Sequence, residues 1–239
     1  MSIAKKITFM SAALLFSLSA TTAQADVITG GVTGGSALAA GGTFVELGVP
    51  LGNPFGAANS VGDNTFQSPN FYVFNESQNA ITTGSLSYDY GVGESTAGGH
   101  VGGTIVGGTI VASHYVFFDP GPFQSIQAFV QFDAVILGVI TATGTLAASD
   151  YLANTGVNYL NPGLRGLEGS DKIISVTGDT VSVNWGAASP GDYIRVLTAF
   201  SPGGAAVPEP SAFLLLVLGF MGLALVKKNQ HASSIPNQV

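Results

Sequence analysis

From Ser125 to Asp133 the side chains alternate: Ile126, Ala128, Val130 and Phe132 share one face, Ser125, Gln127, Gln131 and Asp133 share the other, and only Phe129 breaks the rhythm. A period of two over nine positions predicts a strand with one buried face. Further on, Ile173-Ile174-Ser175-Val176-Thr177 and Thr180-Val181-Ser182-Val183-Asn184-Trp185 are β-branched runs separated by Gly178-Asp179. Two such residues between two such runs predict a tight hairpin with positive φ at Gly178. Strands are also predicted over Ser113–Phe118, before the turn Asp119-Pro120-Gly121-Pro122, and over Tyr193–Phe200, after Ser189-Pro190-Gly191-Asp192. Leu146–Ala153, closed by Asn154 and Gly156, is the one stretch of the body that reads as a short helix. Short strands joined by Gly- and Pro-rich loops predict a mainly β fold, a single antiparallel β-sandwich or jelly-roll-like domain.

Val101-Gly-Gly-Thr-Ile105 repeats at once as Val106-Gly-Gly-Thr-Ile110. An odd period of five reverses the facing of each copy in a flat strand, so a kink must intervene or the two copies belong to different strands. A phosphate-cradling loop needs a following Lys-Ser/Thr, or Gly-x-Gly-x-x-Gly between strand and helix, and neither is present. These glycines are therefore read as structural, and Thr29–Gly42 as a mobile segment or edge strand.

The two ends of the chain have a different pattern. Lys5-Lys6, an apolar stretch from Ile7 through Leu18, and Ala23-Gln24-Ala25 ahead of Asp26 are the parts of a secretory signal peptide, residues 1–25, with cleavage between Ala25 and Asp26. Signal peptidase and the Sec machinery are the implied partners. Near the other end, Val207-Pro208-Glu209-Pro210 cannot be helical, because two prolines two apart each remove a helix donor. Residues 211–226 then form an apolar run of helix formers before Lys227-Lys228. Sixteen residues span roughly 24 Å, a little short of a bilayer core of about 30 Å, and the two lysines can snorkel to make up the difference. Lysines flanking both apolar segments belong in the cytoplasm, which puts the middle of the chain outside the inner membrane.

Val207-Pro208-Glu209-Pro210, the Leu/Gly-rich helix and the basic stop Lys227-Lys228 together resemble the PEP-CTERM sorting signal of exported proteins of exopolysaccharide-producing bacteria. The resemblance implies a transpeptidase-like exosortase that acts near the motif, removes the helix and passes the body to the cell surface or exopolysaccharide. The polar tail, residues 229–239, departs from the family pattern, which ends within a few residues of the basic cluster. The expected organisation is thus a signal peptide (1–25), an extracytoplasmic β-rich domain (26–206), a sorting signal (207–228) and the tail.

The body contains about 180 residues, enough for one domain with a substantial core. Its bases are Arg165, Lys172 and Arg195 against thirteen acids, once Glu209 is assigned to the tail. So negative a surface does not neutralise phosphates, and nucleic acid is excluded as a partner. The chain has no cysteine, so a disulfide framework, a thiolate zinc site and a thiol nucleophile are all ruled out.

A search for chemistry finds little. No Gly-x-Ser-x-Gly elbow occurs, and Ser113 and His114, adjacent on a predicted strand, point to opposite faces and cannot pair as nucleophile and base. His100 and His114 are the only histidines of the body, whereas a catalytic zinc ordinarily takes three protein ligands. No calcium-loop pattern is present, and no metal or cofactor is expected. Arg165 and Arg195, scarce bases among many carboxylates, are expected to pair with acids in a loop clasp of Arg165, Glu168, Asp192 and Arg195. The blocks that contain them, with Ser113–Pro120, resemble blocks in PEP-CTERM proteins of unassigned function. The sequence thus reads as an exported, noncatalytic surface or extracellular-matrix protein, transiently membrane-anchored and sorted by exosortase. The alternatives are a polysaccharide- or ice-binding module and a secreted hydrolase. The Thr positions keep no regular Thr-x-Thr period of the kind an ice-binding face would use.

Overall fold

The computed structural model describes residues 26–200. The signal peptide with Ala23 and Ala25, the motif Val207-Pro208-Glu209-Pro210, the helix over 211–226, Lys227, Lys228 and the polar tail lie outside the described residues. In chain order the elements are β1 (Val27–Gly34), α1 (Gly35–Ala39), β2 (Phe44–Leu47), β3 (Ser60–Val61), β4 (Phe71–Asn75), β5 (Ala80–Ile81), β6 (Leu86–Tyr88), β7 (Gly103–Ile105), β8 (Ile110–Phe118), β9 (Gln124–Phe132), β10 (Ile136–Ile140), α2 (Thr143–Ala148), a 3-10 turn (Asp150–Leu152), β11 (Asn158–Tyr159), a second 3-10 turn (Pro162–Leu164), β12 (Lys172–Thr177), β13 (Thr180–Ala187) and β14 (Asp192–Ala199).

The body is mainly β, as expected. A four-stranded sheet has the order β1-β9-β13-β12, and a six-stranded one β10-β14-β8-β4-β2 with β5 against β8. One hydrophobic core joins them. Ile126, Val130, Val181, Val183 and Trp185 from the first sheet pack with Phe71, Val73, Val116, Ile194 and Val196 from the second, and the Trp185 and Phe71 rings meet edge-on at 5.6 Å. The six-stranded sheet is buried on its other face too, where Phe74, Tyr115, Phe117, Tyr193 and Leu197 pack under Leu51, Phe66, Leu146, Leu152 and Val157 of the loops and α2. Burial on both faces explains why β8 and β14 read as nearly unbroken apolar runs, whereas β9 and β13 alternate.

Two features correct the expected picture. The six-stranded sheet is mixed, not wholly antiparallel: β2 runs parallel to β4, with Phe44 opposite Phe71, and the connection over 48–70 is long enough to bring the chain back in the same direction. The helix predicted over Leu146–Ala153 is instead α2, starting at Thr143, followed by a separate 3-10 turn. Ala142 gives α2 no side-chain cap, so the sequence has no start signal there. The five-residue repeat is split between strands of different sheets: Ile105 ends β7, which pairs with β6, and Ile110 begins β8. The Gly178-Asp179 hairpin forms as predicted, with Thr177 opposite Thr180 and φ of 60° at Gly178. Residues 29–42 hold the rest of β1, an edge strand, and α1.

Candidate functional site

Strand alternation on β14 turns Ile194 and Val196 to the shared core and Arg195 to the loop layer, where it is fully buried. An isolated guanidinium there would be prohibitively costly, so its partners must be close. Glu76, just past β4, supplies them: Arg195 Nε donates to Oε2 at 2.5 Å and Nη2 to Oε1 at 2.8 Å, with neither side chain exposed. The carboxylate also accepts from Ser113 Oγ at 2.6 Å and Tyr159 Oη at 2.7 Å, so both oxygens are shared between two donors. Arg195 Nη1 donates to the Leu146 carbonyl at 3.1 Å and to Ser149 Oγ at 2.5 Å. Burial alone would lower the pKa of Arg195, but the Glu76 carboxylate outweighs it and the net shift is upward.

Arg165 joins from the segment after the second 3-10 turn. Its Nη1 and Nη2 grip Asp150 at 2.9 and 2.7 Å, and Arg195 reaches Asp150 Oδ1 at 3.4 Å. Asp150 is the exposed edge of the network, its side chain 40% accessible. One network thus ties β14, β8, β11, the segment after β4, the α2 end and both 3-10 turns. This is a construction that fixes loop positions, as bidentate Arg–carboxylate pairs do well. It offers no free nucleophile or base.

The expected four-residue clasp does not form. Arg165 and Arg195 meet on Asp150, and Arg195 pairs with Glu76, neither of which sequence reasoning had selected, while Glu168 and Asp192 belong to a separate acidic group. There Asp171, buried at the end of the loop before β12, accepts from Gly186 N and Glu168 N, each at 2.9 Å. Asp192, 3% exposed, is pushed up to about 8 by burial and then by the neighbouring carboxylates of Asp171 and Glu168. No donor reaches its Oδ2 among the described residues. The reason for the regrouping is strand parity: Asp192 is three positions from Arg195, so the two side chains leave opposite faces of β14. Glu76 could have been suspected from sequence only as an acid directly following an aromatic strand, a signal too weak to pick it from thirteen.

Ser113 and His114 point to opposite faces as alternation requires. Ser113 bonds Glu76, while the His114 ring packs on Phe132 at 4.5 Å between the sheets. Its Nδ1 pairs with Asn75 Oδ1 at 2.7 Å and its Nε2 with Thr198 Oγ1 at 3.2 Å, and burial lowers its pKa to about 3. His100 is elsewhere, exposed and stacked on Tyr90 at 4.0 Å. Among the described residues no group of three His, Cys, Asp or Glu side chains is placed to hold a metal ion, and no helix is long and apolar enough to cross a membrane. A polar cleft of about 480 Å³ beside Glu46, Asn75 and Asn154 adjoins the network, and a groove of about 290 Å³ lies apart from it on the outer face of the four-stranded sheet.

No curated protein and no solved structure matches the chain. Residues 206–228 do match a family model, described as the PEP-CTERM protein-sorting motif. The match covers Val207, Pro208, Glu209, Pro210, the apolar run and the lysine pair. It implies export, transient membrane anchoring at the C-terminus and exosortase as the processing partner. The function of the body is left open by that match; what it names is the sorting signal, and the chain carries a PEP-CTERM protein-sorting motif behind a mainly β body.

Proposed function

We propose that the body is a noncatalytic cargo, exported and then delivered by exosortase to the cell surface or the exopolysaccharide matrix, where it serves a structural or adhesive role. The observation that supports this most is the position of the motif at 206–228, directly behind a body whose last strand ends at Ala199. The inner construction supports the noncatalytic part. Ser113 and both ring nitrogens of His114 are engaged by Glu76, Asn75 and Thr198, and the Arg195–Glu76 pair at the centre of the network is inaccessible. Signal peptidase would release the body at Asp26, and exosortase would act near Val207–Pro210.

The test is to fractionate cells with and without their exosortase and follow the chain. Retention of the full-length chain in the inner membrane of the deficient cells, with surface or matrix location in the parent, is the expected result. Identical maturation and location in both would overturn the reading. A polysaccharide-binding role of the body is the second reading, favoured by Phe129 and the amides and hydroxyls around it on the outer face of the four-stranded sheet.

A further inference from the structure

The outer face of the four-stranded sheet is laid out in rungs. Gly31, Phe129, Ser182 and Ser175 lie in register across it, and on the next rung Gly34, Gln127, Asn184 and Lys172. Phe129, the residue that breaks the alternation of β9, is thus the aromatic centre of a face whose other contacts are mainly hydroxyls and amides, with Ile174 and Lys172 on the edge strand β12. Gly31 makes room for it: a Cβ at that position would fall 2.8 Å from Phe129 Cε1, so the ring leans across β1. Phe123, 70% exposed, repeats the arrangement at the start of β9, leaning over Gly186 of β13, where a Cβ would lie 3.2 Å from its Cζ. The two rings are six residues apart, about 20 Å along a strand. Beside Phe129 is the groove of about 290 Å³, lined by Thr33, Gln127, Phe129, Ile174, Ser182 and Asn184.

Charge decides what fits. The body has thirteen acids and three bases, yet the two rungs named here carry one charge, Lys172 on the edge strand β12, opposite Asn184. Asp179 is at the β12–β13 turn, bonded to Gln131 and Thr180, and Lys172 borders the opposite end. Among the described residues the side chains of Gln127, Ser182 and Asn184 make no hydrogen bond. An anionic polymer meets one cation there, Lys172, which already donates to the Gly169 carbonyl at 3.0 Å, and is repelled by the rest of the molecule, and a cationic one finds its partners elsewhere. Aromatic rings and unspent amide and hydroxyl groups on a surface with a single charge suit a chain with apolar ring faces and many hydroxyls. We propose that this face binds a neutral polysaccharide in extended form, with Phe129 and Phe123 as stacking platforms and Gln127, Ser182 and Asn184 as hydrogen-bonding contacts. The inference rests on the delivery reading above only for the availability of the polymer; delivery is tested in cells and binding on the purified chain, so either can fail alone.

The test uses the full chain in a detergent without a sugar headgroup, run in native gels that contain dextran, hydroxyethylcellulose or, as the charged control, alginate. Retardation by at least one neutral polymer is expected, with alginate giving none. Phe129→Thr should weaken binding about tenfold, as loss of one stacking ring does, and Asn184→Ala should weaken it less, each with an unchanged melting temperature. Failure of both neutral polymers to retard the parent would overturn the proposal, as would equal binding by parent and both variants, or alginate binding as strong as the neutral. Self-association of the parent that Phe129→Thr abolishes would show a second copy as the occupant and overturn it as well.

Discussion

The two sheets share one core, and their outer faces differ in almost every respect. The outer face of the six-stranded sheet is sealed under loops and contains a buried Arg195–Glu76 pair with both side chains fully inaccessible. The outer face of the four-stranded sheet is open, has a single charge, Lys172, on the rungs described above and is lined by Gln127, Phe129, Ser182 and Asn184. The contrast shows where charge is useful in this molecule. Under the loops an ion pair can be desolvated and fully bonded, so it dictates which loop sits where, even though a buried pair adds little net stability over apolar residues of the same volume. On the open face a charge would be solvated and would fix nothing. Position is imposed there by strand register alone, which leaves the side chains free for contact with something outside the chain.

Breaking the covered face should have the largest effect. Glu76→Ala strands a buried guanidinium and should cost about 3–5 kcal/mol, whereas the double change Glu76→Leu with Arg195→Met should recover most of the loss. Urea unfolding of the parent and the two variants checks this, and a double variant as unstable as the single would show that the network does more than satisfy its own charges.

The rim between the sheets should show the next effect, in its pH dependence. Asp192 keeps its proton up to about pH 8 in the folded body, whereas in the unfolded chain it loses it near pH 4. The folded state therefore binds more protons between these values, so its contribution to stability is full below about pH 4 and is lost as pH rises through about 8. Asp119, pushed up to about 6 by burial, acts with the same sign over the lower part of that window. His114 acts with the opposite sign: its pKa of about 3 costs stability as pH falls below the ordinary histidine range. Comparing Asp192→Asn with the parent isolates the first of these. Raising the pH from 5 to 8 should lower the melting temperature of the parent relative to the variant by about 5 °C, and parallel profiles would remove Asp192 from the account.

The open sheet should be sensitive at its turn and nearly indifferent on its face. Gly178→Val puts a β-branched residue at φ of 60° and should destabilise by about 1 kcal/mol or more. No neighbour is within 4 Å of the added Cβ, so the whole cost is conformational. An unchanged denaturant midpoint would contradict that. Asn184→Ala on the face itself should shift stability by less than about 0.5 kcal/mol, and a larger loss would mean that the face is built into the fold and is not free for a ligand.

Much of this contrast was legible in the chain. The alternation of β9 and β13 announced one buried and one open face, and the turn residues fixed the β12–β13 hairpin, because both signals are local. Phe129 was visible as the break in the alternation, but its partner Gly31 is ninety-eight positions away, and only register brings them together. The clasp failed for the same reason. Spacing could say that Arg165 and Arg195 need acids; it could not say that strand parity turns Asp192 from Arg195, nor that the chain after β4 brings Glu76 to it. The start of α2 was missed because no capping side chain marks it.

By itself the sequence determined the mainly β character, the principal hairpin, the absence of cysteine chemistry and the sorting motif. Each of these depends on neighbouring residues or on composition, and a linear motif is read by its enzyme as a linear peptide. The tertiary structure alone decided the parallel β2–β4 pairing, which acids the two arginines meet, and which face stays open. Those outcomes follow from contacts between residues distant in the chain, where desolvation selects a partner by three-dimensional proximity and not by spacing along the sequence.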